Sequence, residues 1–511
     1  MRTTWTEGLW ATTAVVLCAW TVPSAPLAAD QLQWGQAASR NMVSDEKGLP
    51  VAFDPATGQG VKWSVDLGTE ANTAPIVAAG KVLVGTNRSA SGDPRRRGDC
   101  GVLLCLDEAT GKKLWELFVP KLEDDRFADW YGVGIMSPPT VEGDRAYLVT
   151  NRGEVVCLDL AGMSNGNDGP YRDEGRHMAS KGQPALEVRG DDADILWICD
   201  MRYGLGVRQH NGSNGSILLD GRLLYVSTSN GVNRTHRSLD APEAPSLIVL
   251  DKRTGRRLAR DNAGIGSQIF HGTWSSPSMA TVAGRSLVFF GGGDGVCYAF
   301  DALSPGAARP PGKQPMRLKT AWRFHCDPLS RKNKPHDFHN NRRQGPSTII
   351  GMPVVRAGRV YVTAGGDPWH GKRQAWLKCI DAGARGDVTT SAGRWSYPLA
   401  KHSMATPSVA DGLVYVTDLG RQVHCVDAQT GTACWTHKTA GEIWASTLLA
   451  DGKVYIGSRR GDFWVLSAGR TKRVLHTVRL DAGIAATATA ANGTLYVATY
   501  GKLWAFQKAP K

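Results

Sequence analysis

Short apolar runs, not long ones, set the pattern of this chain. Val82-Leu83-Val84, Tyr147-Leu148-Val149, Leu224-Tyr225-Val226, Val360-Tyr361-Val362, Val414-Tyr415-Val416, Val454-Tyr455-Ile456 and Leu495-Tyr496-Val497 are each flanked by turn residues. Runs of that length and β-branched content predict buried strands rather than helices. Around them a longer phrase recurs. A Pro-flanked strand comes first, then the Tyr-Val strand, then an apolar strand ending at Asp-x-x-Thr-Gly, then a strand carrying Trp. The Asp-x-x-Thr-Gly element is complete at Asp54–Gly58, Asp107–Gly111, Asp251–Gly255 and Asp427–Gly431, with looser copies from Asp159, Asp301 and Asp381. Trp63, Trp115, Trp197, Trp322, Trp395 and Trp435 close six copies. Asp accepts backbone N–H groups two residues on and Gly supplies positive φ, so the element reads as a hairpin turn.

Four strands repeated every ~40–50 residues predict propeller blades. Starts fall near residues 74, 137, 216, 274, 351, 405, 444 and 485, which gives eight. The last copy ends at Phe506 without its Trp strand. Asp54–Gly58 and Trp63 stand ahead of the first complete copy, so the N-terminal strand is expected to close the last blade. The fold class is all-β, an eight-bladed propeller spanning residues 30–511. Two insertions are expected, near 162–193 and 304–347.

Residues 1–29 read as a secretory signal. Arg2 precedes Leu9–Val22, fourteen residues without a charge, and Leu27-Ala28-Ala29 offers a cleavage site. The expectation is an exported, periplasmic or extracellular protein, monomeric and not membrane-spanning. Nine cysteines then remain, an odd number, and no CxxC occurs. Cys105, Cys157, Cys379 and Cys425 each lie two residues before a blade Asp and read as small buried hydrophobes. If Asp427 pairs with Thr432, Cys425 and Cys434 face each other across the hairpin, where a disulfide could form.

The net charge is +13. It favours acidic partners, while export argues against nucleic acid. The second insertion concentrates Arg331, Lys332, Lys334, Arg342 and Arg343 and is the expected contact for an envelope protein or an acidic polymer. A second candidate set lies on loops: His210, Asn211 and Asn214; His271 and Trp274; Asp367, Trp369 and His370. Such residues suit a small-ligand or metal pocket if their loops meet on one face. No metal motif occurs, and no metal is predicted from spacing.

The repeat resembles the tryptophan-docking repeat of quinoprotein alcohol dehydrogenases and of non-catalytic PQQ-like propellers of the BamB kind. The structural motif residues Asp54, Trp63, Asp107, Trp115, Asp251, Asp427 and Trp435 carry it. The resemblance implies a PQQ seat on the axis, with Ca²⁺ held by Glu and Asn beside a catalytic Asp, and a pair of adjacent cysteines. This chain has no adjacent Cys pair. The leading expectation is therefore a non-catalytic binding or scaffold module without cofactor. A PQQ- and Ca²⁺-dependent alcohol or sugar dehydrogenase is the alternative. A glycan-binding or hydrolytic propeller using the His271, Asp367 and His370 loops is the third.

Overall fold

The computed structural model describes residues 29–508 apart from 88–92, 94, 96–97, 124, 308–311, 313 and 331–332, together with residues 1 and 3. The rest of the expected signal, and Arg331 and Lys332, lie outside the described residues.

Eight antiparallel four-stranded blades form the propeller. Blade six is representative: Ser408–Ala410, Leu413–Asp418, Gln422–Asp427 and Ala433–Lys438. Its inner three strands are buried and its outer strand alternates with solvent. That gradient is what side-by-side packing around an axis requires. Blade eight joins Thr489–Ala491, Thr494–Ala498 and Lys502–Gln507 to Val61–Asp66, so the N-terminal strand closes the ring as the sequence predicts. Closure removes two exposed sheet edges.

The repeat residues hold neighbouring blades together. Each of the six blade tryptophans donates Nε1–H to a carbonyl of the next structural unit at 2.9–3.0 Å, from Trp63 to Glu108 through Trp435 to Gly469. In four of them the indole lies over a turn glycine: Trp63 on Gly111, Trp115 on Gly162, Trp197 on Gly255 and Trp395 on Gly431. A Cβ on Gly111 would come within 2.9 Å of Trp63, and one on Gly431 within 2.7 Å of Trp395. The strand partner of the indole is small: Cys105 faces Trp115, Cys157 faces Trp197, Cys379 faces Trp395 and Cys425 faces Trp435. Blade seven uses His476 instead, bonded to the Phe53 carbonyl at 2.9 Å.

Two expectations change. Asp427 N–H does reach the Thr432 carbonyl at 2.8 Å. A bulge then pairs Cys425 with Trp435 and Val426 with Ala433, skipping Cys434. The two residues are therefore not paired across the strands, and both thiols are free. The stretch 304–347 is not one loop either, because Thr320–His325 is the outer strand of blade four. It divides into a loop before that strand and a loop after it.

Residues 31–46 run around one end of the ring and touch every blade in turn. Gln31 bonds Val77, Leu32 bonds Val141, Arg40 bonds Ser216, Ala38 bonds Met279 and Ser39 bonds Val355. Asn41 then bonds Val409, Val43 pairs with Leu449, and Glu46 accepts the Gly493 N–H. Among the described residues, no helix is long and apolar enough to cross a membrane.

Candidate functional site: an axial cavity beside a histidine cluster

The segments leading into the first strands of all eight blades border one cavity of about 650 Å³; Ala74, Pro138, Asn214, Trp274, Met352, Met404, Trp444 and Ala485 each come from a different blade. The cavity therefore lies on the propeller axis. Trp34, from the N-terminal segment, also lines it. Its wall is aromatic, with Trp34, Trp130, Trp274, Trp369 and Trp444, and carries a few polar groups. That composition is typical of small-molecule sites.

The polar groups are unusual in what they lack. The Asn72, Asn211 and Asn214 Oδ1 atoms are buried without a hydrogen-bond partner. Asn72 Nδ2 donates to Glu70 Oε1 at 3.0 Å, which fixes its amide so that Oδ1 is left as an acceptor. Buried acceptors without partners cost free energy unless a ligand or water satisfies them.

The loop candidates from the sequence meet here. Gly231 bridges to Gly272, and Val232 N–H bonds the His271 carbonyl at 2.8 Å. A Cβ on Gly231 would lie 2.6 Å from that carbonyl and 2.7 Å from His210 Cβ, so only glycine lets the two loops close. The closure puts the His210 and His271 ring centroids 4.8 Å apart. His370 stands 5.2 Å from His271, and Trp274 and Trp369 meet edge to face at 5.8 Å. Trp274 Nε1 donates to the His210 carbonyl at 3.1 Å.

Asp367 organises this end of the cavity without touching it. Its Oδ1 accepts the N–H groups of Trp369 and His370 at 3.0 and 2.7 Å. Its Oδ2 meets His271 Nδ1 at 2.9 Å, which turns His271 Nε2 inward, buried and without a partner. Burial would raise the Asp367 carboxyl, but its contact with His271 outweighs that and holds it below the usual range. Burial, then the neighbouring His271 and His236 rings, push His210 down to about 2. Burial and then His271 lower His236, and the same causes in the same order lower His370 to about 4. These rings are neutral near pH 7.

Sequence reading missed His236, which completes the cluster. Its Nε2 is 3.2 Å from His210 Nε2, and its ring lies 5.2 Å from that of His271. It sits at φ 57°, a left-handed conformation rare outside glycine and common at functional sites. The loop following Ser229-Asn230-Gly231-Val232 was the available signal.

Of the basic residues expected at the rim, Arg342 also ties its loop to the cavity end. Arg342 donates to the carbonyls of Pro368, Trp369 and Gly371, and Asn340 N–H bonds the His370 carbonyl. His339 stacks on His370 at 4.4 Å. The loop after blade four thus packs on the cavity end that carries the histidines. Lys334 and Arg343 are exposed.

The lining matches the PQQ and Ca²⁺ seat implied by the resemblance in its Glu and Asn groups, and lacks its cysteine pair and its Asp. Among the described residues, no cysteine lines the cavity and Glu70 is its one carboxylate. Glu70 and the Asn72, Asn211 and Asn214 amide oxygens are hard ligands of the kind Ca²⁺ takes, while the imidazoles form a separate, softer donor set at one end of the cavity.

Comparisons with known proteins agree on the frame. The family described as "Outer membrane protein assembly factor BamB" matches residues 18–260, 99–307 and 373–509. A quinohemoprotein alcohol dehydrogenase of Comamonas testosteroni is 34% identical over 95 residues, a match spanning 16% of this chain and 13% of that enzyme. The crystal structure of that enzyme superposes with a TM-score of 0.57 at 13% identity, over 94% of this chain and 81% of its own. BamB from Moraxella catarrhalis superposes with a TM-score of 0.52 at 14% identity, over 88% and 99%. Such identities establish the shared fold. With matched segments spanning most of its length, the chain belongs to the BamB-type family of PQQ-like β-propellers.

Proposed function

We propose that this propeller binds a polyhydroxylated ring, of carbohydrate type, in its axial cavity. One observation carries the reading: an indole-walled cavity whose buried amides, Asn72 foremost, present acceptors without donors. A sugar ring stacks its C–H faces on indoles and brings hydroxyl donors. A quinone with carboxylate groups brings chiefly acceptors and would meet the Glu70 carboxylate. The Leu9–Val22 stretch and the Ala28-Ala29 site support export, so the ligand would be met outside the cytoplasm. The similarity to a dehydrogenase and to an assembly factor supports the frame equally for either activity.

Indole fluorescence tests the reading. Purified protein is titrated with glucose, N-acetylglucosamine and cellobiose, and separately with PQQ plus Ca²⁺. Saturable quenching by a sugar is expected, weakened about tenfold in Trp369→Ala and in Asn72→Ala, the size of one lost stacking or hydrogen-bond contact. Quenching by PQQ with Ca²⁺ and by no sugar would overturn it.

A further inference from the structure

We propose that His210, His236 and His271 form a binding site for one divalent first-row transition metal ion, with its open side toward the axial cavity. One ring nitrogen from each lies within 4.8 Å of the other two. The His210 and His236 Nε2 atoms are 3.2 Å apart. Tetrahedral Zn²⁺ with Zn–N bonds of about 2.0–2.1 Å puts its ligand atoms about 3.3 Å from each other, so this pair already has the right edge.

The outer contacts are those a metal site needs. A ligating imidazole donates its second N–H to a carbonyl or carboxylate, which fixes the ring and leaves the other nitrogen for the metal. His210 Nδ1 meets the Val232 carbonyl at 2.7 Å, and His271 Nδ1 meets Asp367 Oδ2 at 2.9 Å. The His236 ring packs edge to face on His210, with centroids 4.7 Å apart. His271 Nε2 is buried and has no hydrogen-bond partner. A buried lone pair aimed at two other imidazoles is costly in a purely structural cluster and is satisfied by a cation.

The donor set selects the metal class. Neutral imidazoles suit Zn²⁺, Cu²⁺, Ni²⁺ and Co²⁺, and not Mg²⁺ or Ca²⁺. His236 and His271 border the cavity and His210 lies behind them. His370 closes the same side, but its Nδ1 is paired with Asn340 Oδ1 at 3.1 Å, and we leave it outside the set. An ion held there faces whatever enters the cavity and can take one of its oxygens as the fourth ligand. This site is independent of the sugar reading, since it rests on the histidines alone.

The test uses untagged full-length protein stripped with EDTA. Co²⁺ is titrated in, followed by its visible d–d bands, then displaced with Zn²⁺. One equivalent of Co²⁺ with the intense bands of four-coordinate cobalt is expected. His236→Ala, on a half-exposed loop, should abolish the bands. Asp367→Asn should weaken Co²⁺ binding about 10–100-fold, as loss of an outer partner does. His339→Ala should leave the titration unchanged. No saturable binding, octahedral spectra only, or binding that survives His236→Ala would each overturn the site. Repeating the sugar titration in EDTA separates the two proposals: quenching that persists without Co²⁺ binding sinks the metal site alone, and Co²⁺ binding without quenching sinks the sugar reading alone.

Discussion

Asp367 and His271 meet at 2.9 Å from loops of different blades, 96 residues apart in the chain. The carboxylate is fully buried and the imidazole nearly so. A pair like this locks two blades to one geometry, because neither partner can be left alone in the interior. Removing one partner of a buried charge-assisted bond costs about 2–3 kcal/mol. Asp367→Asn should therefore lower unfolding stability at pH 7 by that amount, read from the denaturant midpoint, while near-UV dichroism of the indoles keeps its native form. An unchanged midpoint would show that the pair contributes nothing.

The tryptophan-on-glycine contact separates two costs that usually come together. Gly431 and Gly412 both have φ near +75° and both lie in exposed turns. A Cβ at Gly412 meets nothing within 4 Å, while one at Gly431 meets Trp395 at 2.7 Å. Gly412→Ala should cost about 1 kcal/mol, the backbone term alone. Gly431→Ala should cost about 2–4 kcal/mol, because the indole must also move. Equal losses in urea unfolding would mean the docked indole contributes no stability.

How much of this could be read beforehand follows from where the determinants sit along the chain. Asp427, Thr430, Gly431 and Trp435 are neighbours in sequence, so turn chemistry and period gave the blades, their number and the closing strand. The site was half legible. His210, His271, Asp367 and His370 stood out as polar residues on Gly-rich loops, but their meeting depends on Gly231 bridging Gly272, a contact between blades. His236 had no periodic neighbour to mark it. The segment that crosses all eight blades near Arg40 has no repeat at all, since each of its residues meets a different partner. The bulge at Cys434 was equally hidden, because one skipped residue leaves the sequence pattern unchanged.

That bulge makes a chemical prediction. Cys425 is buried, and burial first, then Cys434, pushes its thiol up to about 12. Thiolate is the reactive form, so Cys425 should resist alkylation at pH 8 in native protein. Cys434 is partly exposed, on the outer strand. Peptide mapping after iodoacetamide should find Cys434 modified ahead of Cys425. Modification of Cys425 as fast as Cys434 would contradict the burial of its thiol.

Arg40 is a fully buried guanidinium without a carboxylate partner. It donates to the carbonyls of Pro277, Trp34 and Ser216 and to Ser216 Oγ. Burial lowers it to about 9, yet it stays charged at pH 7. These bonds tie the N-terminal segment, and Trp34 with it, to blades three and four. Arg40→Ala strands several acceptors and opens a cavity, and should cost about 3–5 kcal/mol. Limited proteolysis should then cut within residues 30–50 of the variant and not of the parent protein. Resistance equal to the parent would show that the other seven blade contacts hold the segment unaided.

His402 sets an acid limb for stability. It is buried, its Nδ1 accepts the Ser403 N–H at 2.8 Å, and its Nε2 has no partner. Burial lowers it to about 4, with Asp367 opposing. An unfolded histidine titrates near 6.5. Above that pH both states are neutral and His402 adds no pH dependence. Between about 6.5 and 4 only the unfolded chain takes the proton, so stability falls as pH falls, by about 1.4 kcal/mol per pH unit from this group. Below about 4 the folded state takes it too and the slope ends. His402→Gln keeps polarity and size but cannot titrate. Denaturant unfolding of the variant between pH 7 and 4 should show a slope shallower by one proton. An identical slope would place the His402 ring in water, contrary to its burial.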